Sequence, residues 1–159
     1  MKIDIVCVGK IKEKFYKEAI AEYSKRLSKY CKLTIYENDD EKTIEGASDK
    51  VCEQIMEKEA ARMLSHIGDD AYVIALAIEG KKYDSVGFSK KISSLELNGR
   101  SHIVFVIGGS LGIATSLKER ADELISFSDM TFPHQLMRVI LLEQIYRGYR
   151  IKNNEPYHK

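Results

Sequence analysis

The 159-residue chain is expected to form an α/β fold, a mainly parallel sheet flanked by helices, and three observations predict it. Short apolar runs rich in β-branched residues alternate with longer stretches whose apolar positions recur at helical spacing. Several of the runs end at glycines, and two of them, Ile103–Ile107 and Leu124–Phe127, lead through loops into helices. The alternation sums to five strand–helix units within a length usual for one domain, so residues 1–159 are read as a single domain with a largely parallel sheet.

Ile3–Val8 is the first strand, ended by Gly9. From Phe15 the residues Tyr16, Ala19, Ile20, Tyr23, Leu27 and Tyr30 make one apolar helical face with a basic remainder. Cys31–Tyr36 is the second strand, and the acidic stretch Asn38–Ser48 is expected to be a mobile loop. Ser48 or Asp49 can cap a second helix, whose stripe Cys52, Ile55, Met56, Ala60, Met63 and Ile67 runs to Gly68. Tyr72–Ile78 is almost continuously apolar and reads as a strand buried on both faces, followed by a loop at Glu79–Lys82. Ser85–Leu97 is a helix, and Asn98-Gly99 turns the chain into the strand Ile103–Ile107. A short helix near Thr115–Arg120 precedes the apolar stretch at Leu124, and the last helix runs from Pro133 to about Ile151. Pro133 suits a first helical turn, where its missing N–H is not needed.

Composition excludes several classes. Hydrophobic residues make up 44% of the chain, but no apolar run approaches the ~18 residues of a membrane span, and the N-terminus lacks a signal-peptide stretch. Cys7, Cys31 and Cys52 are odd in number without CxxC spacing. That pattern fits a reduced, cytoplasmic protein with core cysteines and no metal. Net charge is +1 but uneven: Lys10–Lys32 holds eight basic and three acidic residues, whereas Glu37–Glu59 holds three and nine. Arg138–Lys159 holds five and two. The basic segments are either solvated helix faces or, if the fold joins them, a phosphate-binding surface.

The last helix is apolar around more than one side, with Arg138, Glu143, Gln144 and Arg147 as exceptions. A sheet covers one side of a helix, so a second copy of the chain is the expected cover for another, giving a homodimer. Loops after two strands meet the carboxyl edge of a parallel sheet, where ligands bind. Gly108-Gly109-Ser110-Leu111-Gly112 is neither a dinucleotide fingerprint nor a P-loop. Ser128 and Thr131 beside Phe127, Met130 and Phe132 suit a small-molecule pocket.

The segments FVIGGSLG, SFSDMTFPHQLMRVILLEQIYRGYRI and the terminal PYHK, with IVCVGKIKEKFYKEAIAEYSKRLSKY at the start, closely resemble the RlmH family of the SPOUT superfamily. The resemblance spans essentially the whole chain. It implies a homodimer whose C-terminal region forms a deep trefoil knot holding S-adenosylmethionine, a feature that periodicity alone does not predict. It further implies methylation of N3 of a pseudouridine in 23S ribosomal RNA, in assembled ribosomes. Carried over, the cofactor contacts fall on Leu76, Gly108, Phe127, Ser128, Asp129, Met130, Thr131 and Phe132.

An imide N–H is a poor nucleophile until deprotonated, so a base or an anion-stabilising group is needed beside the methyl donor. The candidates are His158, foremost as base or RNA contact, His134 as base, Arg147 or Arg138 for the developing charge, and Tyr157 for stacking or positioning. His66 and His102 are read as structural. Lys159 stands where some relatives have Arg, which keeps the charge but not a bidentate fork. Two other readings share these residues: a related methyltransferase acting on another RNA such as tRNA, and a non-catalytic ribosome-binding protein that senses S-adenosylmethionine.

Overall fold

Five strands and five helices alternate through the computed structural model, which describes residues 1–159. They are β1 Lys2–Val8, α1 Lys14–Leu27, β2 Lys32–Asn38, α2 Asp49–Leu64, β3 Tyr72–Lys82, α3 Ser85–Leu97, β4 His102–Ile107, α4 Thr115–Arg120, β5 Glu123–Ser126 and α5 His134–Lys152. All four pairings are parallel, in the order β2-β1-β4-β3-β5. The expected α/β class with a parallel sheet is what the chain adopts.

Alternation along the central strands divides the core in two. Ile3, Ile5, Cys7, Ile103, Phe105 and Ile107 join Phe88, Ile92, Leu141, Leu142 and Ile145 in one cluster. Val6, Val8, Val104 and Val106 join Ala60, Met63 and Leu117 in the other. Helices α1, α3 and α5 therefore cover one face and α2 and α4 the opposite one. Both faces of β1 and β4 are buried, as their unbroken apolar sequences require. Ser48 caps α2 through Val51 N–H (3.3 Å), and Asp84 caps α3 through Gly87 N–H (2.6 Å).

The structure corrects several sequence expectations. Glu79–Lys82 is not a loop but the second half of β3. Ile125 pairs with Leu76 and again with Lys81, so β3 bulges and meets β5 in two registers. Gly80 permits this, since a Cβ there would lie 2.5 Å from the Ile125 backbone. Burial also stops early along β3: Val73, Ile74 and Ala75 are buried, whereas Ile78 is 54% exposed. Pro133 precedes the first turn of α5 instead of opening it.

The acidic stretch after β2 is tied down. Glu41 N–H donates to Glu59 (3.0 Å), Arg62 donates to the Asp39 carbonyl (2.9 Å) and Thr43 Oγ1 lies 3.3 Å from Ser110 Oγ. The flanks of α5 are covered from within the chain, because α1 and α3 pack on either side of it. Packing against α1 also joins the two basic segments: the Arg26 guanidinium sits 5.7 Å from the Tyr146 ring, and Lys29 lies 3.4 Å from Glu155.

Candidate functional site

The carboxyl ends of β4 and β5, with the middle of β3, open into a cleft of about 370 Å³. This is the edge at which parallel sheets present ligand-binding loops. Leu76, Gly108, Phe127, Ser128, Met130, Thr131 and Phe132 line it, together with His134. Asp129 stands outside the lining and pairs with Lys82 at 2.5 Å. The turn after β5 is held by its own serines: Ser126 Oγ donates to the Ser128 carbonyl (3.1 Å), and Ser128 Oγ accepts from Met130 N–H (3.0 Å). That geometry presents Phe127 and Phe132 to the cavity while Met130 stays 74% exposed.

Across the cleft the glycine loop closes on itself. Gly109 and Gly112 form an isolated antiparallel bridge, and Gly112 has φ +100°. A Cβ at Gly108 would stand 2.3 Å from the Gly112 carbonyl oxygen, so only glycine fits there without moving backbone. The cleft wall is thus bare main chain on one side and aromatic on the other. Lys118 and Glu79 pair across its rim at 2.5 Å.

Helix α5 starts at the cleft and carries the polar candidates away from it. His134 is half-buried, and its pKa is lowered first by burial and then by the nearby Arg138 charge. Arg138 is 1% exposed. Its Nη1 donates to Glu37 (2.6 Å) and its Nη2 to the carbonyls of Val8 (2.7 Å) and Gly9 (2.5 Å). Those carbonyls end β1, so Arg138 ties α5 to the sheet edge.

Three further candidates gather at the other end of α5. Arg147 donates to Glu143 through Nε (3.0 Å) and Nη2 (2.6 Å), and Nη1 lies 3.4 Å from His158 Nδ1. Its guanidinium centre is 4.7 Å from the Tyr157 ring. The Tyr157 hydroxyl donates to the same Glu143 oxygen (3.0 Å), and its ring meets Tyr146 edge-on at 4.9 Å. Asn154, at φ +52°, turns the chain so that the tail lies back along α5. Glu155 holds that turn by accepting from Arg150 (2.6 Å) and from Tyr30. The tail is therefore ordered against the helix, with His158 at an exposed edge.

The structure brings two groups together and keeps them apart. The cofactor candidates other than Asp129 surround the cleft with His134, whereas Arg147, Tyr157 and His158 cluster thirteen residues further along α5, roughly 20 Å at a helical rise of 1.5 Å per residue. His66 and His102 lie elsewhere: His66 stacks on Tyr36 (4.5 Å), and His102 pairs with Asp4 (2.8 Å). Cys7 and Cys31 are buried, which pushes their thiols up to about 12 and about 11. Sequence reasoning gave no role to Glu143, Glu79 or Lys118, although Glu143 stands at i,i+4 spacing to Arg147 and Glu79 follows an apolar strand run.

Comparison with known proteins gives this arrangement its context. The family model described as "Predicted SPOUT methyltransferase" matches residues 1–158. The chain is 62% identical to the Ribosomal RNA large subunit methyltransferase H of Bifidobacterium adolescentis over the full length of both. It is similarly close to proteins of that name from Streptococcus uberis (57%) and Clostridium kluyveri (55%), again end to end. No helix is long and apolar enough to cross a membrane. The chain belongs to the SPOUT methyltransferase family.

Proposed function

We propose that this protein is a cytoplasmic ribosomal RNA methyltransferase that uses S-adenosylmethionine to methylate N3 of a pseudouridine in 23S RNA of assembled ribosomes, working as a homodimer. The observation that carries the reading is the cleft at the carboxyl sheet edge, walled by Gly108 backbone on one side and the Phe127–Phe132 turn on the other. Its volume and mixed lining suit a nucleoside with a short polar chain. The close relatives named as large-subunit ribosomal RNA methyltransferases support the choice of substrate.

Leu76, Gly108, Phe127, Ser128, Met130, Thr131 and Phe132 would hold the cofactor, with Asp129 at the rim. Bound there, S-adenosylmethionine supplies an electrophilic methyl group, whose bond to sulfur breaks as a bond to N3 forms. The chain must remove the N3 proton and steady the charge left on the base. His158 is the proposed base or RNA contact, beside an Arg147 guanidinium able to face a negative base edge. Tyr157 stacks on or orients the base. His134, whose pKa burial and Arg138 hold below its ordinary value, is the alternative proton acceptor at the cleft itself. Arg138 contributes by holding the start of α5 to β1.

The length of α5 between cleft and tail favours a dimer in which one copy's tail completes the other copy's cleft. A monomer mass in light scattering at micromolar concentration would overturn that part. The knot belongs to the same reading, as the family resemblance implies it. Transfer of labelled methyl to intact ribosomes and to naked 23S RNA, both from a strain lacking the protein, tests the function. Label on one pseudouridine in ribosomes only is the expected result. Absence of label on both, with cofactor still bound, would move the assignment to another RNA or to a sensing role.

A further inference from the structure

The tail cluster turns on a residue that neither the cleft nor the list of proton-transfer candidates includes. Glu143 lies one turn before Arg147 on α5, and its two carboxylate oxygens do different jobs. Oε1 accepts three hydrogen bonds, from Arg147 Nε (3.0 Å), Arg147 Nη2 (2.6 Å) and the Tyr157 hydroxyl (3.0 Å). Oε2 accepts from Gln144 Nε2 (2.7 Å), and Gln144 Oε1 in turn accepts from Ser85 Oγ (2.8 Å). The chain of bonds thus runs from the tail to the first residue of α3. Ser85 and Gln144 both line a second cavity, about 410 Å³, whose wall of Ile125, Ser126, Phe127 and Phe132 is shared with the cleft.

An isolated i,i+4 ion pair on a helix contributes little and fixes little. This one differs in geometry and surroundings. Glu143 and Arg147 side chains are only 18% and 25% exposed. Two of the guanidinium's N–H groups are spent on Glu143, which fixes the plane of the fork and leaves Nη1 directed at His158. The phenol would otherwise be free to rotate out with the last three residues, where chain ends ordinarily fray.

We infer that Glu143 is the positioning residue of the site: it orients Arg147 and fastens Tyr157, so that the tail is presented in one arrangement to the RNA base. The inference rests on the methyltransferase reading for its kinetic consequence, but not for its structural one. Glu143 does not line the cleft, and it acts through its two partners. Gln144 and Ser85 steady its second oxygen, linking tail geometry to the wall of the cofactor cleft.

The test compares Glu143→Gln, Glu143→Asp, Tyr157→Phe and the Glu143→Gln/Tyr157→Phe double variant in the full-length protein. Three quantities are read: single-turnover methyl transfer to ribosomes, S-adenosylmethionine affinity by calorimetry, and the ionisation of Tyr157 followed by a carbon-13 label on its ring. Glu143→Gln is expected to slow transfer about tenfold or more with cofactor affinity within about twofold, because the loss falls on the transfer step and not on the cleft. The Tyr157 phenol, held high by burial and by its hydrogen bonds to Tyr23 and Glu143, is expected to ionise at lower pH once the carboxylate is neutral. The double variant should be little worse than the worse single, since both break one unit. Glu143→Asp, which keeps the charge on a shorter arm, should recover part of the rate and keep the raised phenol.

Transfer within about twofold of wild type in Glu143→Gln, or an unmoved Tyr157 titration, overturns the inference. If the wild-type protein itself transfers no methyl group, the proposed function has failed, and the Tyr157 titration alone decides whether Glu143 holds the tail. Should Glu143→Gln not fold, Glu143→Asp carries both readouts: a slowed rate with the Tyr157 phenol still raised supports the inference, and a wild-type rate or an ordinary Tyr157 titration overturns it.

Discussion

Arg138 and Arg147 occupy the same helix, nine residues apart, and the fold treats them in opposite ways. Arg138 is enclosed at the sheet edge, its charge met by Glu37 and by two carbonyls at the end of β1. Arg147 lies near the surface against Glu143, Tyr157 and His158, with one N–H group pointing toward the tail. A guanidinium whose Nη groups are spent on a carboxylate and on main chain builds a structure. A guanidinium left with a directed donor beside a histidine is equipped to meet a ligand. Residue type alone does not distinguish them, and neither does position on one helix.

The strongest way to break this contrast is Arg138→Ala. It leaves two β1 carbonyls and Glu37 without their donor and opens a cavity at the root of the cleft, and the expected cost is ~3 kcal/mol or more in chemical denaturation. An Arg138→Ala protein as stable as wild type would remove its structural role. Arg147→Ala reverses the pattern: methyl transfer to ribosomes should fall about a hundredfold, the scale of losing one charge-stabilising donor. Its denaturation midpoint should move by no more than a partly exposed ion pair is worth, ~1 kcal/mol. Equal losses of stability in the two variants would erase the distinction.

Glu37→Gln sharpens it further, because the carbonyl contacts of Arg138 survive while the charge partner goes. Since Glu37 is itself 36% exposed, about 1 kcal/mol is expected, well below the effect of removing the arginine. The smallest effect is in pH. Burial and the Arg138 charge hold His134 below its ordinary value of 6.5. Between that lowered value and 6.5 the unfolded chain binds more protons than the folded one, so stability must decline on acidification through this window. His134→Asn should flatten that slope in denaturation curves collected across it, and an unchanged slope would show that His134 is not its source.

Much of the fold was legible because burial imposes periodicity. Ile103–Ile107 and Ile3–Val8 are continuous apolar runs since both of their faces are covered, and their ends fall close to the predicted places. The cleft was legible for a related reason, in that glycine and a polar turn after buried strands mark where backbone is left open. β3 was misread beyond Ile78, because Glu79, Lys81 and Lys82 break the apolar pattern although Lys81 and Lys82 still pair with β5. Exposed strand halves carry no hydrophobic signature. The packing of α1 and α3 on the flanks of α5 was not legible in the same way, since two flanking helices leave the same imprint on a helix sequence as a second copy does.

The amino-acid order by itself determined the alternation of strands and helices, the parallel class, and the glycine loop and polar turn that flank the cleft, because these follow from local spacing and backbone freedom. Only the tertiary structure decided which polar side chain meets which. Arg138 finds Val8 across 130 positions of sequence, and Ser85 finds Gln144 across 59. Hydrogen bonds of that reach leave no periodic trace, since they depend on where two elements come to rest and not on what either one is made of.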